Sequence, residues 1–180
     1  MQNEILVPIA NGTEEMEVVI IVDILRRAGL NVVLAGEFSE LTCSRNVKIV
    51  ADKLLTDLID EEFMAIIIPG GLLGVENLTK SNSLKQIINN NNNATIGAIC
   101  AAPLVLQNFN LLNENSIITS HPSVESKLSD SKYSTDRVVI DGKIITSRSA
   151  GTAFEFAFEL VKIFSDENTA NRIKNDILFK

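Results

Sequence analysis

Apolar and polar residues follow two alternating patterns along this chain. Short runs without polar interruption predict strands covered on both faces, at 5–10, 31–36, 64–68, 95–99 and 116–119. Runs whose apolar residues recur at helical spacing predict helices, at about 14–28, 72–79, 81–88, 101–106, 152–164 and 166–178. Alternation around 45–46 and 141–142 predicts two hairpins outside this order. Strands alternating with helices predict an α/β fold, with a mostly parallel central sheet and helices on both faces.

Local signals predict how some of these elements begin and end. Thr13 is the expected N-cap of the first helix, and Thr152 with Glu155 fits a capping box for the helix that follows. The asparagine tract at 89–93 is expected to be a solvated turn without chemistry of its own.

Residues with useful chemistry follow three of the predicted strands. Pro69-Gly70-Gly71 ends one strand, Cys100 ends the next, and His121 ends a third. Because ligands of a parallel sheet bind beyond the carboxyl ends of its strands, we expect these residues to meet at one edge. No Gly-rich nucleotide-binding motif follows the first strand, which disfavours a nucleotide enzyme.

Cys100 stands at a predicted corner between a strand and a helix that has Pro103 in its first turn. Unpaired N–H groups at a helix N-terminus can lower a thiol pKa from about 8.5 to roughly 3.5–7.5. The alternative is a structural cysteine, because free cysteines are common in protein cores. The local pattern leaves both interpretations open.

The first predicted helix carries one carboxylate among its apolar residues. Plotted at about 100° per residue, Glu15 and Asp23 share a polar face, and Glu17 lies opposite them beside Ile21 and Ile24. A carboxylate in an apolar environment must be neutralised, paired or hydrogen-bonded. Glu17 is therefore a functional carboxyl, one partner of a local ion pair, or a sign that the helix is imperfect at this point.

Charge and cysteine content narrow the classes of function. The 180 residues carry a net charge of −7, which argues against nucleic acids and anionic membranes as partners, since both need a basic surface. With only Cys43, Cys100 and one histidine, neither a disulfide scaffold nor a zinc site is expected, and we predict no metal or other cofactor. Without a basic leader or a long apolar run, we expect one cytoplasmic domain over 1–180.

The order and spacing of six motifs resemble the ThiJ/PfpI superfamily, a flavodoxin-like fold related to class I glutamine amidotransferases. The matching segments lie at 14–17, 43–45, 69–71, 98–103, 121–122 and 146–148, so the resemblance covers nearly the whole chain. Within the superfamily, the chain is most similar to the branch of the Parkinsonism-associated protein deglycase and its bacterial ThiJ-type relatives. PfpI-type proteases have a histidine after the nucleophile, where this chain has Ala101. After Arg148 the deglycase branch has Gly-Pro-Gly, where this chain has Ser-Ala-Gly.

The resemblance implies three catalytic residues. Cys100 would be the reactive, oxidation-prone nucleophile on an elbow after the central strand. Glu17 would be a protonated carboxyl that hydrogen-bonds to it, which suits its place on an apolar face. His121 would lie near Cys100 as a candidate general base.

The resemblance also implies a binding site around these residues. Backbone N–H groups of Gly71 and Ala101, with Gly70 beside them, would hold an oxyanion or a substrate carbonyl. Arg45 and Arg148 would line the mouth of the pocket, with Arg45 and Cys43 close to a homodimer interface.

Two functions of different classes follow from these expectations. The first is a cofactor-independent glyoxalase or deglycase, in which Cys100 attacks 2-oxoaldehydes such as methylglyoxal or their glycation adducts on amines. The second is a redox sensor or chaperone with little turnover, in which peroxide oxidises Cys100. An amidohydrolase or protease ranks last, because no acidic partner for His121 is evident and Ala101 replaces the protease histidine.

Overall fold

The positions of the elements come from a computed structural model that describes residues 4–129 and 131–180. The strands are β1 (Glu4–Ile9), β2 (Asn31–Gly36), β3 (Glu40–Thr42), β4 (Lys48–Val50), β5 (Lys53–Leu54), β6 (Ala65–Ile68), β7 (Thr95–Ile99), β8 (Ile117–Ile118), β9 (Lys132–Tyr133), β10 (Val138–Asp141) and β11 (Ile144–Ser147). The α-helices are α1 (Glu15–Arg27), α2 (Leu72–Lys80), α3 (Asn82–Asn90), α4 (Pro103–Asn108), α5 (Ala153–Phe164) and α6 (Glu167–Asp176). Short 3-10 helices cover Leu55–Leu58, Pro122–Lys127 and Ala150–Thr152. Among the described residues, no helix is both long enough and apolar enough to cross a membrane.

A seven-stranded sheet in the order β10-β11-β7-β6-β1-β2-β5 forms the centre of the fold. Its neighbouring strands are parallel except β10, which runs antiparallel to β11 as the predicted second hairpin. The α/β fold with a mostly parallel sheet is therefore confirmed. The predicted hairpin around 45–46 is also present, as the separate pair β3–β4.

The strand predicted at 116–119 is the one that takes a different place. Only Ile117 and Ile118 are paired, and they pair in parallel with β9 in a separate two-stranded sheet. The hairpin strand β10 occupies the edge of the main sheet beyond β11, so no position remains there for β8. The chain after β8 still reaches the carboxyl end of β7 in the main sheet, because the His121 N–H donates to the Cys100 carbonyl.

Helices cover both faces of the main sheet. On β6, Ile66 and Ile68 contribute to the core formed with α2, α3 and α4, whereas Ile67 contributes to the core formed with α1, α5 and α6. All three side chains are fully buried. Burying such a side chain stabilises the fold by about 1.5–3 kcal/mol, which explains why the strands have uninterrupted apolar sequences.

The residues that cap two of the helices are not the ones predicted. Thr13 Oγ1 accepts from the Ala10 N–H at 3.0 Å and donates to the Ala10 carbonyl at 2.8 Å, so Thr13 closes the turn after β1 and does not cap α1. The predicted capping box of Thr152 and Glu155 is not formed; a capping box is present three residues earlier, between Ser149 and Thr152. Glu155 instead pairs with Arg137 at 2.6 Å.

The asparagine tract is only partly the solvated turn that was predicted. α3 continues through Asn90, and Asn91 is buried. The side chain of Asn91 accepts from the Phe63 N–H at 2.7 Å and donates to the carbonyls of Glu61 and Ile87. Asn91 therefore joins the start of β6 to the end of α3.

Candidate active site

Cys100 occupies a strained corner directly after β7, where the elbow was predicted. Its φ of +64° lies in the left-handed region, which residues other than glycine rarely adopt. Its N–H donates to the Ser147 carbonyl at 3.0 Å, and its own carbonyl accepts from the His121 N–H at 2.8 Å. The structure around β7 and β11 thus holds the half-buried Cys100 side chain in place.

Glu17 is completely buried, as its position opposite the polar face indicated. Its Oε2 accepts from the Gly70 N–H at 2.6 Å, and its Oε1 has no hydrogen-bond partner among the described residues. Burial raises the pKa of Glu17 to about 7; the Gly70 N–H and the Cys100 thiol oppose this rise, and the charge of Glu14 adds to it. Glu17 is therefore a carboxyl that exchanges its proton near neutral pH.

Two glycines allow Glu17 and Cys100 to approach each other. A Cβ on Gly70 would lie 2.6 Å from the Cys100 Cβ and 2.8 Å from Glu17 Oε2. Gly71 has a φ of +89°, and a Cβ there would overlap the Gly12 carbonyl. The Gly70 N–H is used by Glu17, so Gly70 positions the carboxyl beside the thiol. The N–H groups of Gly71 and Ala101 form hydrogen bonds with the Cys100 sulfur, which favour its ionised form.

The electrostatics of Cys100 differ from those expected of a helix N-terminus. Burial raises the pKa of the thiol to about 12, and the Glu17 charge adds to this rise, while the N–H groups of Gly71 and Ala101 oppose it. Burial outweighs the lowering that a helix N-terminus can give, because α4 begins only at Pro103 and the sulfur is buried beside an acid. The Glu17 contribution exists only while Glu17 is ionised, so the two groups titrate as one coupled pair.

A cavity of about 860 Å³ lies over this pair. Six of the predicted site residues line it: Glu17, Arg45, Gly71, Cys100, Ala101 and His121. Arg148 is not among its lining residues, because its Nη1 donates to the Thr135 carbonyl at 2.6 Å. Ser149 and Ala150 form the adjoining part of the wall. The structure thus brings together the predicted nucleophile, carboxyl and histidine, and places Arg148 outside them.

Arg45 lies in the turn between β3 and β4, which is hydrogen-bonded to the start of α1. Its N–H donates to Glu15 Oε1 at 2.8 Å, and the Ser44 hydroxyl contacts carboxylate oxygens of Glu14 and Glu15. Glu15 is consequently buried and not on the solvated face predicted for it. Burial opposes its ionisation, but hydrogen bonds from its own backbone, Ser44 and Arg45 outweigh burial and lower its pKa.

The partner of His121 is a residue that the sequence did not single out. His121 Nδ1 accepts from the Ser123 N–H at 3.2 Å and lies 2.8 Å from the Ser123 Oγ. Ser123 also lines the cavity. Its signal in the sequence was local: a serine two positions after a histidine and directly after Pro122 fits a short helical turn capped by the histidine.

Acidic, sulfur and imidazole groups do not gather elsewhere into an evident metal site. Within residues 4–129 and 131–180, no cluster of three or more such side chains could hold a metal ion.

Comparisons with known proteins identify the family and the fold of this chain. The model of the DJ-1/PfpI family matches residues 3–163. The chain belongs to the DJ-1/PfpI family. This confirms the ThiJ/PfpI resemblance drawn from the six motifs, and the flavodoxin-like α/β fold is confirmed by the solved structures that follow.

Individual members of the DJ-1/PfpI family show the extent of the similarity. Protein DJ-1 homolog B of Arabidopsis thaliana is 42% identical over 165 residues, which cover 89% of this chain and 38% of that relative. The chain thus spans about two-fifths of the length of that relative. The glutathione-independent glyoxalase DJR-1.2 of Caenorhabditis elegans is 36% identical over 174 residues, covering 94% of this chain and 91% of that protein. The crystal structure of Drosophila melanogaster DJ-1beta superposes with a TM-score of 0.95 at 34% identity, covering 100% of both chains.

Proposed function

We propose that this protein is a cysteine-dependent enzyme that converts 2-oxoaldehydes such as methylglyoxal to 2-hydroxy acids without glutathione or another cofactor. The observation that supports this most is the Glu17–Cys100 pair, in which a buried carboxyl with a pKa of about 7 lies beside a thiol. A general base works best when its pKa is near the working pH. Membership of a family that includes a named glutathione-independent glyoxalase supports the same class of reaction.

The proposed reaction begins with attack of Cys100 Sγ on the aldehyde carbon, C1. The S–C bond forms while the thiol proton passes to the Glu17 carboxylate, and the carbonyl π electrons move onto the oxygen. We assign that oxygen to the N–H groups of Gly71 and Ala101, because these two groups already hydrogen-bond to the sulfur that the oxygen will adjoin. The product is a hemithioacetal.

The second stage moves hydrogen from C1 to C2. Glu17 returns a proton to the hemithioacetal oxygen and takes the C1 proton, which leaves an enediolate with its negative charge on the C2 oxygen. Glu17 then delivers that proton to C2 and carries the C1 hydroxyl proton to the C2 oxygen, while the C1 carbonyl forms. The result is a thioester of the 2-hydroxy acid, and water cleaves the S–C bond to release the acid and restore the thiol. The sum is methylglyoxal plus water giving lactate, so no oxidant or reductant is needed.

Lactate formation from methylglyoxal in the absence of glutathione tests this proposal. We expect saturable production of one lactate enantiomer by the purified protein. Lactate at the level of the protein-free blank, from protein that circular dichroism shows to be folded, would contradict it.

Attack on an early glycation adduct would make the same site a deglycase, releasing the repaired amine. Adducts equilibrate with free methylglyoxal, so the two activities are separated by kinetics at trace adduct concentration. Repair that exceeds the spontaneous release of aldehyde supports direct attack on the adduct, whereas repair limited by that release supports the glyoxalase alone.

The redox function remains a second proposal because one atom favours it. Glu17 Oε1 is buried without a hydrogen-bond partner among the described residues, and in its protonated form it can donate to an oxygen added to Cys100. Mild peroxide should then add oxygen atoms to Cys100 while the fold is retained. Random oxidation, or unfolding on oxidation, would contradict a sensor or chaperone based on this thiol.

We propose that the partner of this chain is a second copy of itself, in a homodimer. The family resemblance and the exposed apolar surface near the cavity support this. Met16 and Val19 on α1 are each 56% exposed, and Val50 on β4 is 69% exposed. The turn between β3 and β4 is fastened to α1 through Glu15, so these apolar residues belong to neighbouring elements. Sedimentation should show a dimer that Val50→Asp weakens; a monomer at micromolar concentration would overturn this proposal.

A further inference from the structure

The hydrogen bonds of His121 define which of its ring nitrogens carries hydrogen. His121 is the N-cap of the 3-10 helix Pro122–Lys127, and its Nδ1 accepts from the Ser123 N–H. Pro122 has no N–H, so the Ser123 N–H is the first donor available in this turn. A backbone N–H can only donate, and Nδ1 must therefore present a lone pair.

A lone pair on Nδ1 fixes the neutral tautomer. A neutral imidazole carries one hydrogen, which must then be on Nε2. The Ser123 hydroxyl, whose Oγ lies 2.8 Å from Nδ1, adds a second donor to the same nitrogen. Ser123 occupies Nδ1, so Nε2–H is the part of the ring that remains for a ligand of the cavity.

We infer that Ser123 holds His121 as its Nε2–H tautomer, and that His121 serves the reaction as a hydrogen-bond donor and not as the general base. The tautomer stands on the contacts alone, whereas the donor role rests on the proposed glyoxalase function. The atom that accepts this hydrogen bond is the C2 oxygen of the 2-oxoaldehyde. Negative charge develops on that oxygen when the C1 proton is removed, and a neutral N–H donor stabilises it.

This inference assigns the carbonyl oxygens of the substrate to different donors. The C1 oxygen is assigned to the N–H groups of Gly71 and Ala101, and the C2 oxygen to His121. The backbone hydrogen bond from His121 to the Cys100 carbonyl ties the imidazole to the nucleophile corner. Tyr133 Oη donates to the Ser120 carbonyl at 2.9 Å and secures the segment that carries His121. Glu17 is then the only group assigned to move protons.

Nitrogen NMR tests the tautomer directly, because His121 is the only histidine in the chain. Long-range ¹H–¹⁵N correlation of the substrate-free protein, recorded for the neutral ring, should show Nε2 protonated and Nδ1 as an unprotonated acceptor. In Ser123→Ala, loss of the hydroxyl donor should increase the population of the other tautomer. A protonated Nδ1 in the wild-type protein would overturn the inference, whatever the activity.

Two substitutions of His121 test the donor role. The amide nitrogen of His121→Gln can replace an Nε2–H donor but cannot act as a base, whereas His121→Ala can do neither. We expect kcat to fall by about tenfold or less in His121→Gln and by on the order of 10²-fold in His121→Ala. In His121→Gln, kcat should still rise with pH near pH 7, as we expect for the wild-type protein, because Glu17 is intact. Equal loss in both variants, with the rise abolished, would show that His121 is a base.

The failure of the donor role and the failure of the proposed function give different results. Without a glyoxalase function the wild-type protein makes no lactate, while the tautomer seen by NMR is unaffected. Without a donor role the wild-type protein makes lactate, but His121→Gln is as impaired as His121→Ala. Circular dichroism of each variant confirms that the comparison concerns folded protein.

Discussion

Cys43 and Cys100 line the same cavity, yet their surroundings differ in what they offer to a sulfur anion. Burial raises the pKa of Cys43 to about 11, and the charges of Glu15 and Glu14 add to this rise. Burial raises the pKa of Cys100 as well, but there two backbone N–H groups oppose the rise. Among the described residues, the charged groups that shift the pKa of Cys43 are both acidic, whereas Cys100 also has hydrogen-bond donors.

The comparison shows that burial alone does not distinguish a structural thiol from a nucleophile. Cys43 lies in the turn between β3 and β4 without a positive φ, whereas Cys100 has a φ of +64°. The strained corner turns Cys100 toward Gly71, Ala101 and Glu17. Reactivity therefore depends on having a proton acceptor of suitable pKa and donors for the product anion, and only Cys100 has both.

The largest expected difference is between serine substitutions at the two cysteines. Cys100→Ser should lower lactate production from methylglyoxal by on the order of 10³-fold or more, because it removes the nucleophile. Cys43→Ser should leave kcat within about twofold, since it removes a thiol that is not assigned to any step. Steady-state assays of both variants, matched for folded protein, check this. Equal losses in the two would remove the distinction.

Gly71→Ala should reduce turnover by about 10²-fold, because it displaces one of the two N–H donors at the sulfur. A Cβ at this φ of +89° overlaps the Gly12 carbonyl, so a loss of stability of about 1–3 kcal/mol should accompany the kinetic effect. Kinetic assays below the unfolding temperature separate the two effects. Gly151→Ala is the matched control, since its Cβ would meet no atom within 4 Å and should change neither property.

Glu17 should make the folded state less stable as the pH rises through the weakly acidic range. Its pKa is raised from 4.5 to about 7 in the folded protein, so between these values the folded state binds more protons than the unfolded state. The free energy of unfolding therefore falls with rising pH, by about 3 kcal/mol from this one group. Glu17→Gln lacks this dependence.

Urea unfolding of wild-type protein and Glu17→Gln across this pH range measures the difference. The variant should gain stability relative to wild type from pH 4.5 to above pH 7. A constant difference between the two proteins over the whole range would show that Glu17 keeps an ordinary pKa.

The sequence predicts the parts of this site that depend on periodicity. Uninterrupted apolar runs locate β1, β6 and β7, and their carboxyl ends place Gly71 and Cys100 at one edge. Helical spacing alone puts Glu17 on the buried side of α1. These inferences succeed because a strand or a helix determines where each of its side chains points.

Hydrogen-bond partners are harder to predict, since they depend on which groups the fold brings together. The Gly70 N–H is taken by Glu17, which lies 53 positions away in the chain, and no local motif indicates this pairing. Arg148 is held by the carbonyl of Thr135 and does not line the cavity. The direction of the Cys100 pKa likewise depends on the burial of the sulfur beside Glu17, which no local motif reports.

The pH dependence of Cys100 alkylation tests the central claim, the coupling of thiol and carboxyl, most directly. Iodoacetamide rates measured peptide by peptide keep Cys43 as an internal comparison. The reactive thiolate with a protonated Glu17 is a tautomer of the singly ionised pair, so the Cys100 rate should rise with an apparent pKa of about 7, the value of Glu17. In Glu17→Gln the rise should move above the ordinary thiol value of about 8.5, because the sulfur stays buried without its proton acceptor. Identical profiles in the two proteins would contradict the account.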